Sequence, residues 1–223
     1  ICKSCGCPVE EKETVSRETK QELQLPNIKL DARFQKNLMK VGIVVAICVF
    51  GLIGYKVYDH QKANKAYNIY IENLRKAQDE MMSGGSDAED LCDLTVSVWG
   101  NAIYETNDME TDEYTCPNGY FVEDFNTALG YLYMDEDTQL TMTCIENSQD
   151  NVKDIMKKLQ NPPKGLESCY DSVSDLNGKY TKLTNLALNP SGNYSKFSEN
   201  KNEAISEFQV EYDKLETQIP DKK

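Results

Sequence analysis

The sequence predicts an all-α protein in which one transmembrane helix continues into an antiparallel helical bundle, behind a cysteine-bearing N-terminal segment. Three observations predict it. A single long apolar run, "KVGIVVAICVFGLIGYK", interrupts an otherwise polar chain. Beyond it, apolar residues recur every three and four positions to the C-terminus, and no long alternating run competes for a strand. Charge is partitioned around the same run: residues 1–56 carry nine Lys/Arg and six Asp/Glu, which leaves fifteen against thirty-one in residues 57–223. The acidic surface repels phosphate backbones, so nucleic acid is not expected as a partner of the C-terminal part.

The chain opens "ICKSCGCPVEEKE". Cys2-Lys-Ser-Cys5-Gly has the shape of a zinc knuckle: two thiolates two residues apart grip one tetrahedral ion while the glycine lets the backbone turn beneath it. A structural site needs four ligands. Cys7 could add a third only with strained geometry, and His60, the one histidine, lies beyond the apolar run. A lone CxxC also fits a thiol-redox pair.

"ICKSCGCPVE" resembles the second knuckle of the short zinc ribbons that open many bacterial membrane proteins, in which two knuckles precede a linker and a membrane helix. The resemblance covers about ten residues; Cys2 and Cys5 match its ligand positions, and Cys7 and Pro8 an accessory Cys-Pro. It implies zinc as cofactor, with the first knuckle expected upstream of Ile1. Residues 1–8 are then a truncated ribbon that binds zinc weakly, because in such domains metal binding and folding share one free energy.

Residues 9–37 are mixed in charge, low in apolar content and broken by Pro26, as expected of a flexible linker. Near its end Leu30, Phe34 and Leu38 recur every four residues beside Lys29, Arg33, Lys36 and Lys40, a pattern that fits either a short interfacial helix or an extension of the membrane span. The uncharged run Val41 to Tyr55 is 15 residues, short of the usual ~20, but 38–58 spans a bilayer if Lys40 and Lys56 snorkel. Flanking Lys/Arg counts nearly tie, four before the span and three after (Lys56, Lys62, Lys65). The cysteines break the tie. A tight cluster suits thiolate ligation in a reducing space, whereas Cys92, Cys116, Cys144 and Cys169, widely spaced, suit disulfides in an oxidising one. The expected location is the cell membrane, with the N-terminus cytoplasmic and residues 59–219 extracytoplasmic.

Six stripes divide that domain. The first (Tyr67, Tyr70, Ile71, Leu74, Ala77, Met81) runs to "SGGSD", and the second (Leu91, Thr95, Val98, Trp99, Ala102) starts at a cap near Ser86. The third uses Phe121, Phe125, Ala128 and Leu132. The fourth, from about residue 136, uses Leu140, Cys144, Ile145, Val152, Ile155 and Leu159, and ends at Asn161-Pro-Pro. The fifth runs from Leu166 to Ala187 and the sixth from Phe197 to Ile219. If helices alternate up and down, Cys92 and Cys144 share the distal level while Cys116 and Cys169 share the membrane-proximal one, which predicts Cys92–Cys144 and Cys116–Cys169 bridges.

No catalytic motif is present, and the acidic pairs Glu89/Asp90 and Asp135/Glu136/Asp137 are placed at helix starts, where carboxylates favour the dipole. No small-molecule substrate is identified. "VWGNAIYE", "NPPKGLESCYDSVSDL" and "LALNPSG" are similar to the outer domains of zinc-ribbon single-pass membrane proteins of low-GC Gram-positive type, a resemblance that implies no activity. The expectation is a membrane-anchored, non-enzymatic binding, sensor or interaction protein whose ribbon recruits a protein partner. An enzyme or enzyme subunit with a carboxylate or metal site in the bundle, and a zinc-ribbon nucleic-acid-binding regulator, are the alternatives.

Overall fold

The computed structural model describes residues 32–223. The expected zinc ligands Cys2 and Cys5 and most of the expected linker therefore lie outside the described residues. The chain divides into two units, Ile1–Gly54 and Tyr55–Lys223. Among the described residues there are six α-helices and no strand: α1 Ala32–Tyr104, α2 Asp112–Thr115, α3 Phe125–Met134, α4 Glu136–Leu159, α5 Glu167–Leu188 and α6 Tyr194–Gln218.

In the first unit, the described residues belong to α1, and Ile43, Val44, Val45, Ile47, Phe50, Leu52 and Ile53 all stand exposed. Among the described residues α1 is the one helix long and apolar enough to cross a membrane, and none of its apolar window is buried.

In the second unit the later part of α1 packs with α4, α5 and α6. Tyr70 Oη donates to the Leu159 carbonyl (2.9 Å) and Ser148 Oγ to the Glu80 carbonyl (3.1 Å), so α4 runs antiparallel to α1. Lys182 pairs with Glu203 and Glu207, and Ser172 with Gln218, which sets α6 antiparallel to α5. With Lys223 bonded to Asn68, the sixth helix returns the chain to the level at which the core begins. The four helices thus go up, down, up and down, as short connections favour. Their core holds the expected stripes from Tyr67 and Ile71 through Leu176 and Phe208 to Leu215. A second cluster, Val98, Ala102, Tyr114, Ala128 and Leu132, seats α2 and α3 against the C-terminal end of α1.

Two expectations are corrected. "SGGSD" does not separate two helices, because α1 continues through it to Tyr104. The glycines are there for close approach: a Cβ on Gly84 would lie 2.3 Å from Ser148 Oγ and 2.6 Å from Tyr180 Oη, and one on Gly85 would lie 2.9 Å from the Phe208 ring. Helices α4, α5 and α6 each press a side chain into this notch. The helix instead ends where Glu105 turns left-handed (φ 50°) and the Thr106 N–H reaches back to the Asn101 carbonyl (3.1 Å), the six-to-one bond of a Schellman end.

The second correction concerns α4, which begins as expected: the Asp135 carboxylate accepts from the Asp137 and Thr138 N–H groups. Its buried line is Thr138, Ile145, Ser148, Val152, Ile155 and Leu159. At ~100° per residue, Leu140 lies about 200° from Thr138 and Cys144 about 100° from Ile145. Both are exposed rather than in the core.

Candidate functional site

The predicted disulfides are absent: Cys92, Cys116, Cys144 and Cys169 are free thiols. Their pairing assumed that a helix starts near residue 87, so that the chain would be back near the membrane by Cys116. The continuous α1 removes that premise. Cys116 follows Tyr114, which clusters with Val98 and Ala102, whereas Cys169 lies beside Tyr70, whose hydroxyl is pushed up by burial first and then by this thiol. Tyr70 and Val98 are 28 residues apart on one helix, or ~42 Å. A bridge needs Cα atoms within about 7 Å, so Cys116 cannot reach Cys169. Cys169 instead donates to the Gln218 carbonyl (3.4 Å), and Cys116 accepts from Asn107 Nδ2 (3.5 Å). Cys92 is fully buried and its thiol is pushed up to about 12, first by burial and then by the neighbouring Asp93. Cys144 faces outward.

Among the described residues no group of three or more His, Cys, Asp or Glu side chains is placed to hold a metal ion. The oxygen-rich loop 105–113 uses its carboxylates on its own backbone: Asp112 Oδ1 accepts from the Asp108 N–H (2.9 Å) and Asp108 Oδ1 from the Glu110 N–H (3.1 Å). Glu89 and Asp90 sit inside α1, not at a helix start. Nearby Asp87 is pushed above the usual carboxylate range, by burial first and then by the charge of Asp90.

Several concavities open on the surface, and two bear on function. Between α4 and α5 lies an open polar groove of about 530 Å³, lined by Gln149, Lys153, Lys157, Asn177, Thr181 and Asn185 among others. Tyr180 borders it, but its hydroxyl is committed to Ser148 (2.8 Å).

The second concavity is built by the α2–α3 cap. A pocket of about 410 Å³ is lined by Glu113, Tyr114, Pro117, Asn118, Tyr131, Met134 and Asp135. A smaller one of about 160 Å³ is lined by Asp90, Leu91, Leu94, Tyr114, Asp135, Asp137, Thr138 and Thr141. Tyr114 and Asp135 border both, so the two adjoin in a grooved surface between the tip of α3 and the side of α1. Its walls are set locally. The Asp124 side chain caps α3 through the Asn126 N–H (3.0 Å), and the ten-residue helix ends with Met134 just before the cap of α4. Met134 is 83% exposed and Tyr131 47%. Tyr114 forms the divider, its hydroxyl pushed up to about 12 by burial and then by hydrogen bonding to Glu113. Four carboxylates border the groove (Asp90, Glu113, Asp135, Asp137) and no Lys or Arg lines either half.

That sign is a property of a long stretch of chain. From Ala77 to Val152, 76 consecutive residues, there are eighteen Asp/Glu and no Lys, Arg or His. In the net charge of residues 57–223 this run is hidden, since the bases of that part lie on either side of it. The signal was in the sequence; that the run folds around one apolar groove was not. No family model, curated protein or solved structure matches the chain.

Proposed function

We propose that the chain is a single-pass membrane protein whose helical bundle serves as an extracytoplasmic, non-enzymatic interaction module, with the groove of the α2–α3 cap as its binding surface. The observation that carries this reading is α1 itself. Its exposed apolar stretch is covered by nothing among the described residues, and the same helix goes on to supply the first wall of a packed bundle. Exposed apolar surface on that scale calls for lipid or a partner. The Lys/Arg flanks nearly tie, so the N-terminus-inside orientation rests on the crowded thiols of the opening segment, which suit a reducing space. In the same reading Cys2 and Cys5 are thiolate ligands of a cytoplasmic zinc ribbon that engages a second protein.

Cys144 provides the test. It is an exposed native thiol of the bundle, whereas Cys92 and Cys169 are buried. In intact cells a membrane-impermeant maleimide should form an adduct at Cys144, found by peptide mapping and absent in Cys144→Ser, and the chain should stay in the pellet after alkaline carbonate extraction. An adduct that forms only after permeabilisation reverses the orientation, and release by carbonate removes the membrane anchor.

A further inference from the structure

The groove of the cap has an apolar floor and a rim of one sign, and that combination specifies its occupant. We infer that it binds a cationic amphipathic peptide segment of a partner protein, one that sets Lys or Arg against the rim carboxylates and an apolar side chain between Tyr131 and Met134. The inference rests on the reading of the cap as a binding surface and names what the surface selects.

The floor comes first. Met134, 83% exposed, and Tyr131, 47% exposed, present a contiguous apolar wall that the rest of the bundle leaves uncovered. Uncovered apolar surface rimmed by polar groups is the ordinary form of a docking site, and a thioether adapts to side chains of varied shape. Charge then excludes most occupants. Asp90, Glu113, Asp135 and Asp137 border the groove with no base among them, so an acidic or phosphorylated segment would meet uncompensated repulsion. Lys201 of α6 is engaged by Asp93. Within the run 77–152 no Lys or Arg is available to neutralise the rim. An arginine-bearing segment gains twice here, since a guanidinium can pair with a rim carboxylate and also lie over a tyrosine face. The field of the whole acidic run would steer such a segment in, and that steering weakens with salt.

The test uses the full chain in nanodiscs of neutral phosphatidylcholine, which do not themselves attract cations, with a displayed library of random peptides about twelve residues long as the probe. The expected result is enrichment of peptides that combine Lys/Arg with a large apolar residue. Their affinity should fall about tenfold in the double variant Glu113→Gln/Asp135→Asn and hold in Asp171→Asn, which removes a carboxylate from an exposed position of α5. Asparagine keeps the capping ability of position 135, so helix content measured by circular dichroism should not change. Met134→Ala should weaken the same peptides without altering their salt dependence. Enrichment of peptides with no basic bias that still depend on Met134 would overturn the cationic partner while leaving the cap as a binding surface. No enrichment, or enrichment indifferent to the cap variants, would overturn both.

Discussion

Gly84→Ala tests the notch that makes α1 one helix instead of two. Alanine is favoured over glycine inside a helix by about 1 kcal/mol, so an unobstructed site would be stabilised. Here the new methyl would sit 2.7 Å from Ser148 Cβ, 2.3 Å from Ser148 Oγ and 2.6 Å from Tyr180 Oη. Carbon atoms pack at about 3.5–4.0 Å, so α4 has to move by about 1 Å or the side chains have to leave. Overpacking of this kind costs about 1–3 kcal/mol. Breaking the buried Tyr180–Ser148 hydrogen bond (2.8 Å) adds about 1–3 kcal/mol for the groups left unpaired. The balance is a destabilisation of about 1–5 kcal/mol, centred near 3 kcal/mol. At about 2–4 °C per kcal/mol for a chain of this size, Tm should fall by about 6–12 °C. Gly178→Ala is the matched control, because Gly178 lies inside α5 with nothing within 4 Å of its would-be Cβ. It should raise Tm by about 2–4 °C. Thermal circular dichroism in detergent micelles reads both. Moving the space to the other side, with Ser148→Gly and Tyr180→Phe added to Gly84→Ala, should recover part of the loss. If Gly84→Ala stabilises as Gly178→Ala does, the helices do not meet at this notch and the continuous α1 is refuted.

The left-handed Glu105 at the end of α1 strains a side-chain-bearing residue, so Glu105→Gly should stabilise by about 1 kcal/mol, read as a rise in Tm; a loss would show that the end is not a Schellman turn. Thiol titration of the native chain should modify Cys144 rapidly and leave Cys92 unreacted until unfolding, since the latter is buried with its thiol pushed up to about 12; equal rates would contradict that burial. Burial also pushes the Tyr70 and Tyr133 hydroxyls up to about 12 from an ordinary 10.0. The sign follows from linkage: a raised folded-state value gives stability that is intact below pH 10 and lost as pH rises from 10 toward 12. Tyrosinate absorbance should therefore show a class that ionises only as the helical signal is lost; a single early titration of all tyrosines would oppose it.

Helical periodicity and hydrophobicity determined most of this protein from sequence alone. A 3.6-residue repeat has to bury one stripe, so Tyr67 through Met81, Val152 through Leu159 and Phe197 through Leu215 could be assigned to a core without coordinates. The start of α4 was similarly readable, because Asp135 caps through local hydrogen bonds to its own next turn, whereas α3 begins at Phe125, past the expected Phe121. Glycine is where the local rule failed. Gly84 and Gly85 have the same propensity whether they end a helix or make room for Ser148, Tyr180 and Phe208, and only partners 64, 96 and 123 residues away in sequence decide between the two. That one decision propagated. It moved residues 105–124 to the far end of α1 and separated Cys116 from Cys169. Leu140 and Met134 show the same limit at the surface, since apolar character cannot tell a core position from an exposed wall. The acidic run 77–152 was fixed by composition, but its meeting with Tyr114, Tyr131 and Met134 in one groove depends on how α2 and α3 seat on α1, and packing between elements distant in sequence is what tertiary structure alone supplies.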